Sequence, residues 1–478
     1  MATAIPDNEA TFTLDEIAAA TGGALFGTGA PAIGVAIDSR AVTEGCLFVA
    51  IRGDTHDGAR FLVPAVQSGA RALLVHPGTP CPEGIARIEV ADTTRALGDL
   101  AAFHRQRWGK PLLAITGSAG KTTTKELTAA AFEATGSRVH KTSGNLNNQF
   151  GVPMTLFGLA AEHDLAVLEV GTSARGEIAR LGEIAQPDVA VVLVAAAAHT
   201  EGLGTVAEVA DEKASLFAAL VAGGRCVVSH DDPELMKRVP GDRPWISFGL
   251  GKGANVRLQH ASLSVSGTLI RVVVEGVGEL HAQLKMIGYA AAIDACAALA
   301  CVLSVSGADA LATAAVGLGQ VVPTPGRMAP LVLANGVVVI DDSYNSNPRS
   351  TAVSLETLKE LASGPDSRSI AVLADMKELG ALSQTEHARV GEFCVRNGID
   401  FLVGCGTEMS HATSAAARLS AGRLAPHPTR VAHVLDPLDA ARLVRSLWRP
   451  GDVVLVKGSR SSAMERVVDA LCAGQVGA

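Results

Sequence analysis

The chain has 478 residues, of which 48% are hydrophobic and 4% aromatic, and its formal net charge is −8. That length exceeds one ordinary core, so two to four domains are expected, packed mainly by Ala, Val and Leu. The acidic balance argues against nucleic acid as the main partner and suits local basic groups that hold small anionic substrates.

The opening MATAIPDNEATFTLDEI lacks the basic start and apolar stretch of a signal peptide. The longest unbroken apolar run, VAVVLVAAAA at 189–198, is too short for a bilayer, so no membrane span is expected. Eight cysteines lie scattered without a C-x-x-C pair, which argues against a zinc ribbon or a disulfide framework. A cytoplasmic monomer is the expectation.

In chain order, the first hundred residues mix strand-like runs (IGVAIDSRAV, GCLFVAIRGD, RALLVHPG, ARIEVAD) with one helical stretch, FLVPAVQSGA. They read as a small α/β domain ending at the polar FHRQRWGKP. From 112 onward strand, loop and helix alternate through LLAIT, LAVLEV, VAVVLV and RCVVS, which predicts a parallel sheet covered on both faces. A β-rich patch follows (ANVRLQH, TLIRVVVEG, ELHAQLKM), then an alanine-rich helix from about Ala290. VVPTPGR at 321–327 reads as a linker. Beyond it, VVVIDD, SIAVLAD, FLVGCG and VVLVKG restart the alternation as a second doubly wound domain. GCGTEM is only a fragment of a dinucleotide fingerprint and opens no early βαβ unit.

The segment LLAITGSAGKTTTKEL, at 112–127, carries the strongest chemical signal. Gly117, Ser118, Ala119 and Gly120 form a turn between a strand and a helix that begins with Lys121. Backbone N–H groups in such a turn, with the helix N-terminus, make a concave site for phosphate oxygens. Lys121 would reach the β- and γ-phosphates of ATP, and a hydroxyl of Thr122 or Thr123 would bind Mg²⁺. Glu169 closes LAVLEV and His199 follows VAVVLV, so both sit at carboxyl ends of strands, where open parallel sheets bind ligands. Together they can complete the shell of a hard divalent cation.

The blocks TGSAGKTT, SGNLNNQFGVPMTL, LEVGTSARGEI, AHTEGLG, PTPGR, DDSYNSNP, ADMKELG and VKGSRSSAMERVV occur in one order. They resemble the Mur ligases, and DSR, GCLFVAIRGDTHDGARF and SGARALLV are similar to that family's N-terminal domain. The likeness covers nearly the whole chain. It implies three domains: 1–108 binding a UDP-linked substrate, a central P-loop ATPase domain at 109–325, and a Rossmann-like domain at 326–478. NLNNQFGVP and DDSYNSNP point within the family to the member acting on UDP-N-acetylmuramoyl tripeptide and D-alanyl-D-alanine. That member forms an amide through an acyl phosphate, using ATP and two Mg²⁺ ions. The family's phosphate loop is the shorter G-x-x-G-K-[ST], so Ile115 at the outer glycine position is no defect.

The resemblance also implies roles. Glu169 and His199 become metal ligands with Thr122, and Lys213 becomes a carbamate-bearing lysine, although sequence alone reads it as a solvated helical lysine. Arg327, Asp342 and Asn345 belong to the C-terminal side of the ATP site. Asn145, Asn147 and Asn148 line the region where phosphate meets carboxylate. Ser39 and Arg40 are the candidates for uridine diphosphate, and Lys457 and Arg460 for the dipeptide carboxylate. The chain departs from the family pattern at Ala195, Ala290, Ala291, Asp294 and Ala374. These departures motivate a rival reading as a nucleotide-binding pseudoenzyme. A ligase with another acceptor, of the folylpolyglutamate type, is the second rival.

Overall fold

The computed structural model of the chain describes residues 5–53, 57–196, 200–421 and 428–473. Three α/β units follow one another. In the first, five strands lie in the order Ala24–Phe26, Ala86–Glu89, Ala72–Val75, Leu47–Val49, Val35–Ala36, parallel except for the first pair. The four strand-like runs of the sequence are all present. FLVPAVQSGA forms a tight turn, Gly58–Phe61, and a short helix, Leu62–Gln67.

The polar FHRQRW stretch is helical. It ends a 16-residue helix, Thr93–Trp108, whose first amides are capped by Asp92. Ala96, Leu97, Leu100 and Ala101 form one stripe at helical spacing, while Arg95 and Arg107 are exposed and Arg105 is buried against Asp188. The stripe joins a core that holds Phe12 and Leu47 of the first unit and Leu112, Val152 and Leu168 of the second. The two units are therefore welded through this helix.

The central sheet has nine strands. Leu112–Thr116 lies between Leu165–Glu169 and Val189–Val192, all parallel and buried at every position, as a sheet covered on both faces requires. The β-rich patch extends this sheet as an antiparallel meander, Val256–Ser264, Gly267–Val274 and Gly278–Leu284. The alanine-rich helix runs Tyr289–Ser306, 18 residues, and packs on the phosphate-loop helix Lys121–Ala134. Among the described residues it is the one helix long and apolar enough to cross a bilayer, but 67% of it is buried. Its small side chains let it serve as a core helix.

The third unit has six strands, with parallel Val338–Asp342, Val453–Lys457, Ser369–Ala374, Phe401–Cys405 and Arg430–Val434. Two strands escaped the sequence reading: the edge Arg430–Val434 and the antiparallel Ala329–Val332. The third unit docks on the second through helix Pro348–Leu361. Tyr289 Oη donates to Glu360 Oε2 at 2.5 Å, and Thr357 fills the space where a side chain at Gly288 would stand.

Candidate active site

The phosphate loop leaves the central strand Leu112–Thr116 and enters helix Lys121–Ala134. The Ser118 amide donates to Val194 O at 2.8 Å, and Ser118 Oγ bridges Ala196, so the loop is stitched to the neighbouring strand end. Gly120 sits at φ +83°, and a Cβ there would lie 2.5 Å from Asp294 Oδ1. Glycine is required on both counts. Lys121 Nζ donates to Gly117 O at 2.8 Å, which folds the lysine over the loop.

Thr122 Oγ1 donates to Glu169 Oε2 at 2.7 Å, and Asn147 Nδ2 donates to Glu169 Oε1 at the same distance. Glu169 is 2% exposed. The predicted trio of Thr122, Asn147 and Glu169 thus converges at one point beside the helix N-terminus. His199 lies outside the described residues. Asn148 behaves differently: its side-chain oxygen accepts from the Phe150 and Gly151 amides and opens helix Gly151–Phe157. Asn145 lies in the same turn, its carbonyl accepting from the Asn147 amide.

Lys213 corrects the sequence reading, because it is 2% exposed and not solvated. Burial, and then the charge of Lys121, pull its ammonium down to about 7, against a partial offset from Glu212. Lys121 is also pulled below the usual lysine value, by burial first, with Glu169 opposing and Arg327 assisting. Lys121, Lys213 and Arg327 therefore crowd positive charge around one site, which an anion relieves.

The C-terminal unit reaches the same place. Asn347 Nδ2 donates to Ser118 O at 3.2 Å, across a sequence separation of 229 residues. The Arg327 guanidinium makes no ion pair or hydrogen bond among the described residues and lies over the Tyr344 ring, 4.1 Å from its centroid. Lys457 departs from its predicted role. It is 3% exposed, and its ammonium donates to Asp342 Oδ2 at 2.6 Å and to Asn345 O at 3.0 Å. Asp342 also accepts from Ser354 Oγ. A buried pair so fully engaged holds the Asp342–Asn345 loop and has no charge left for a dipeptide. Arg460 stays accessible, paired with Glu465 at 3.3 Å. In the first unit, Asp38 caps the turn Ser39–Ala41 and pairs with exposed Arg40 at 2.6 Å, beside a small cleft lined by Asn8, Ile37, Thr43 and Met154.

The family departures have local explanations. The Ala195 amide donates to Asp232 Oδ2 at 2.8 Å, which anchors the strand end. The Ala374 methyl abuts Gly458. Ala291 is buried and Ala290 exposed on the first turn of the apolar helix. Asp294 is the unusual one: burial pushes its carboxyl up to about 8, opposed by Thr124 and Arg327. Sequence reading missed Asn347 and Tyr344 as site residues, although both lie inside the DDSYNSNP block.

The described residues contain no cluster of three or more His, Cys, Asp or Glu side chains. A hydroxyl and a carboxylate beside a phosphate loop nevertheless fit Mg²⁺, which binds through one or two carboxylates, waters and substrate phosphates.

A half-buried lysine folded over a strand-to-helix glycine turn, with a buried Thr–Glu pair beside it, defines a phosphate-binding P-loop ligase site. The chain belongs to the Mur ligase family. Residues 32–105 match the Mur ligase family, catalytic domain; 115–302 match the Mur ligase middle domain; and 326–460 match the Mur ligase, glutamate ligase domain. The UDP-N-acetylmuramoyl-tripeptide–D-alanyl-D-alanine ligase of Escherichia coli is 36% identical over 470 residues, covering 96% of this chain and 98% of that one. The Bacillus subtilis ligase of the same name is 31% identical, covering 91% and 92%. A crystal structure of MurF from Acinetobacter baumannii superposes with a TM-score of 0.87 at 27% identity, covering 97% and 99%. MurF ligase from Thermotoga maritima in complex with ADP gives 0.80 at 28% identity, covering 91% and 96%.

Proposed function

We propose that this chain joins D-alanyl-D-alanine to UDP-N-acetylmuramoyl tripeptide at the expense of ATP, completing the peptidoglycan precursor that cell growth and division consume. The observation that carries the reading is the convergence of Lys121, Asn147 and the buried Thr122 and Glu169 at the phosphate loop, with Asn347 and Arg327 brought over it from the third unit. The folylpolyglutamate alternative lacks support from the relatives that match along the whole chain.

In this reading the loop amides of Ala119–Thr123 and the Lys121 ammonium hold the β- and γ-phosphates. Thr122, Glu169 and His199 would hold Mg²⁺, which offsets phosphate charge when bound. Lys213, carbamylated, would add an anion for a second ion. A lysine lowered to about 7 has a substantial neutral fraction near pH 7, which supports that assignment, because only the free base attacks CO₂. The terminal carboxylate of the tripeptide attacks the γ-phosphorus and ADP leaves. The dipeptide amine then attacks the acyl phosphate carbon, loses a proton and expels phosphate, leaving the amide. Arg327 stabilises charge on the transferring group. Ser39 and Arg40 would meet the uridine diphosphate, and Asp342 and Asn345 would shape the nucleotide edge of the third unit. ATP and a UDP-linked substrate place the reaction in the cytoplasm.

Phosphate release from purified protein with Mg-ATP, UDP-muramoyl tripeptide and D-alanyl-D-alanine tests this. Release dependent on all three substrates is expected. No turnover at saturating ATP would leave a nucleotide-binding pseudoenzyme.

A further inference from the structure

Arg327 carries a full charge into the site without a carboxylate to hold it. What it has is the face of Tyr344, 4.1 Å from its guanidinium carbon. The same ring meets the Arg460 guanidinium at 5.8 Å. The aromatic face is negative, so one ring attracts both cations without neutralising either.

The backbone fixes that ring. The Tyr344 amide donates to Gly326 O at 3.0 Å, and Gly326 adopts φ +79°, where a Cβ would come within 3.1 Å of Tyr344. The linker residue just before Arg327 is therefore clamped to the residue carrying the ring. Beneath them, Lys457 ties Asp342 to the carbonyl of Asn345, the residue after Tyr344. The loop that presents Tyr344 is rigid on both flanks.

We propose that Tyr344 is a positioning residue whose ring sets two arginines at once: Arg327 toward the ATP phosphates and Arg460 toward the carboxylate of the incoming dipeptide. This rests on the function proposed above. It also supplies a physical link between the two substrates, since one fixed ring sets the position of both guanidinium groups. A carboxylate counter-ion at Arg327 would neutralise the charge that the phosphates need, whereas Arg460 keeps an exposed ion pair with Glu465 at 3.3 Å that an incoming carboxylate can replace. An aromatic ring holds direction and leaves the charge available.

The test uses the full-length protein and compares Tyr344→Leu, Tyr344→Phe and Arg327→Ala by phosphate release, with Tm measured for each. Tyr344→Leu is expected to lower kcat on the order of 10- to 100-fold, the usual result of misplacing a catalytic group by about an ångström. It should also raise KM for D-alanyl-D-alanine while leaving KM for the UDP-linked substrate unchanged. Tyr344→Phe keeps the ring and should restore both values close to wild type. The proposal is overturned if Tyr344→Phe is as impaired as Tyr344→Leu, or if Tyr344→Leu leaves kcat and the dipeptide KM untouched. It is equally overturned if all three KM values rise together with a lowered Tm, the mark of a merely structural role. Full activity of Arg327→Ala would overturn the role given to Arg327 itself, which separates failure of the parent reading from failure of this one.

Discussion

Replacing Asp294 by asparagine should stabilise the protein, and by an amount that grows with pH. The carboxyl is buried in the wall of the apolar helix, against Gly120 of the phosphate loop. Desolvation disfavours the charged form and pushes it from 3.8 up to about 8. Below pH 4 the group is protonated in the folded and unfolded chains alike and makes no difference. Between pH 4 and 8 the unfolded chain releases the proton while the folded chain keeps it. Stability therefore falls as pH rises, by about 1.4 kcal/mol per unit. Between pH 5 and pH 7 this amounts to about 3 kcal/mol. Asparagine fits the same space and has no proton to lose. Every other titrating group contributes equally to both proteins, so the difference between them isolates residue 294. In thermal unfolding, the Tm gap between Asp294→Asn and wild type should widen by about 5–10 °C from pH 5 to pH 7, at roughly 2–4 °C per kcal/mol for a unit of this size. A gap that stays constant over that window would show Asp294 to be ionised in the fold and would refute the reasoning.

Three further outcomes are expected. Lys457→Met leaves Asp342 charged and buried without its partner, which should cost about 3–5 kcal/mol; pairing it with Asp342→Asn should recover most of the loss in urea unfolding. Glu169→Gln keeps a partner for Thr122 but removes the charge, so turnover should fall by at least about 10- to 100-fold, the loss that even an outer-shell partner of a metal causes, and the Mg²⁺ concentration for half-maximal rate should rise; chelating the metal should stop wild-type turnover reversibly. Lys213 should take up ¹³C-labelled bicarbonate as a carbamate NMR signal that strengthens as pH rises through about 7, because a lysine with a lowered value is neutral only above it; the signal should be absent in Lys213→Ala.

Much of this protein is decided by local sequence. Buried parallel strands announce themselves as unbroken Val, Leu and Ile runs, because both faces of the sheet are covered. The phosphate loop is equally local: Gly120 needs a left-handed backbone, and Lys121 must open the helix. Glu169 ends strand Leu165–Glu169, and the end of a parallel strand is a fixed position in such a sheet. What only the tertiary structure decided concerns residues whose neighbours come from elsewhere in the chain. Lys213 looks like any helical lysine until packing removes its water. Lys457 resembles a surface cation until Asp342, 115 residues earlier, closes on it. The polar tail of helix Thr93–Trp108 hides an apolar stripe that joins two domains. Asn347 reaches the phosphate loop only when the third unit lies against the second, and Tyr344 meets Arg327 and Arg460 only through the fold of the third unit. Charge and burial are properties of a surrounding, and the surrounding of these side chains is assembled by the fold.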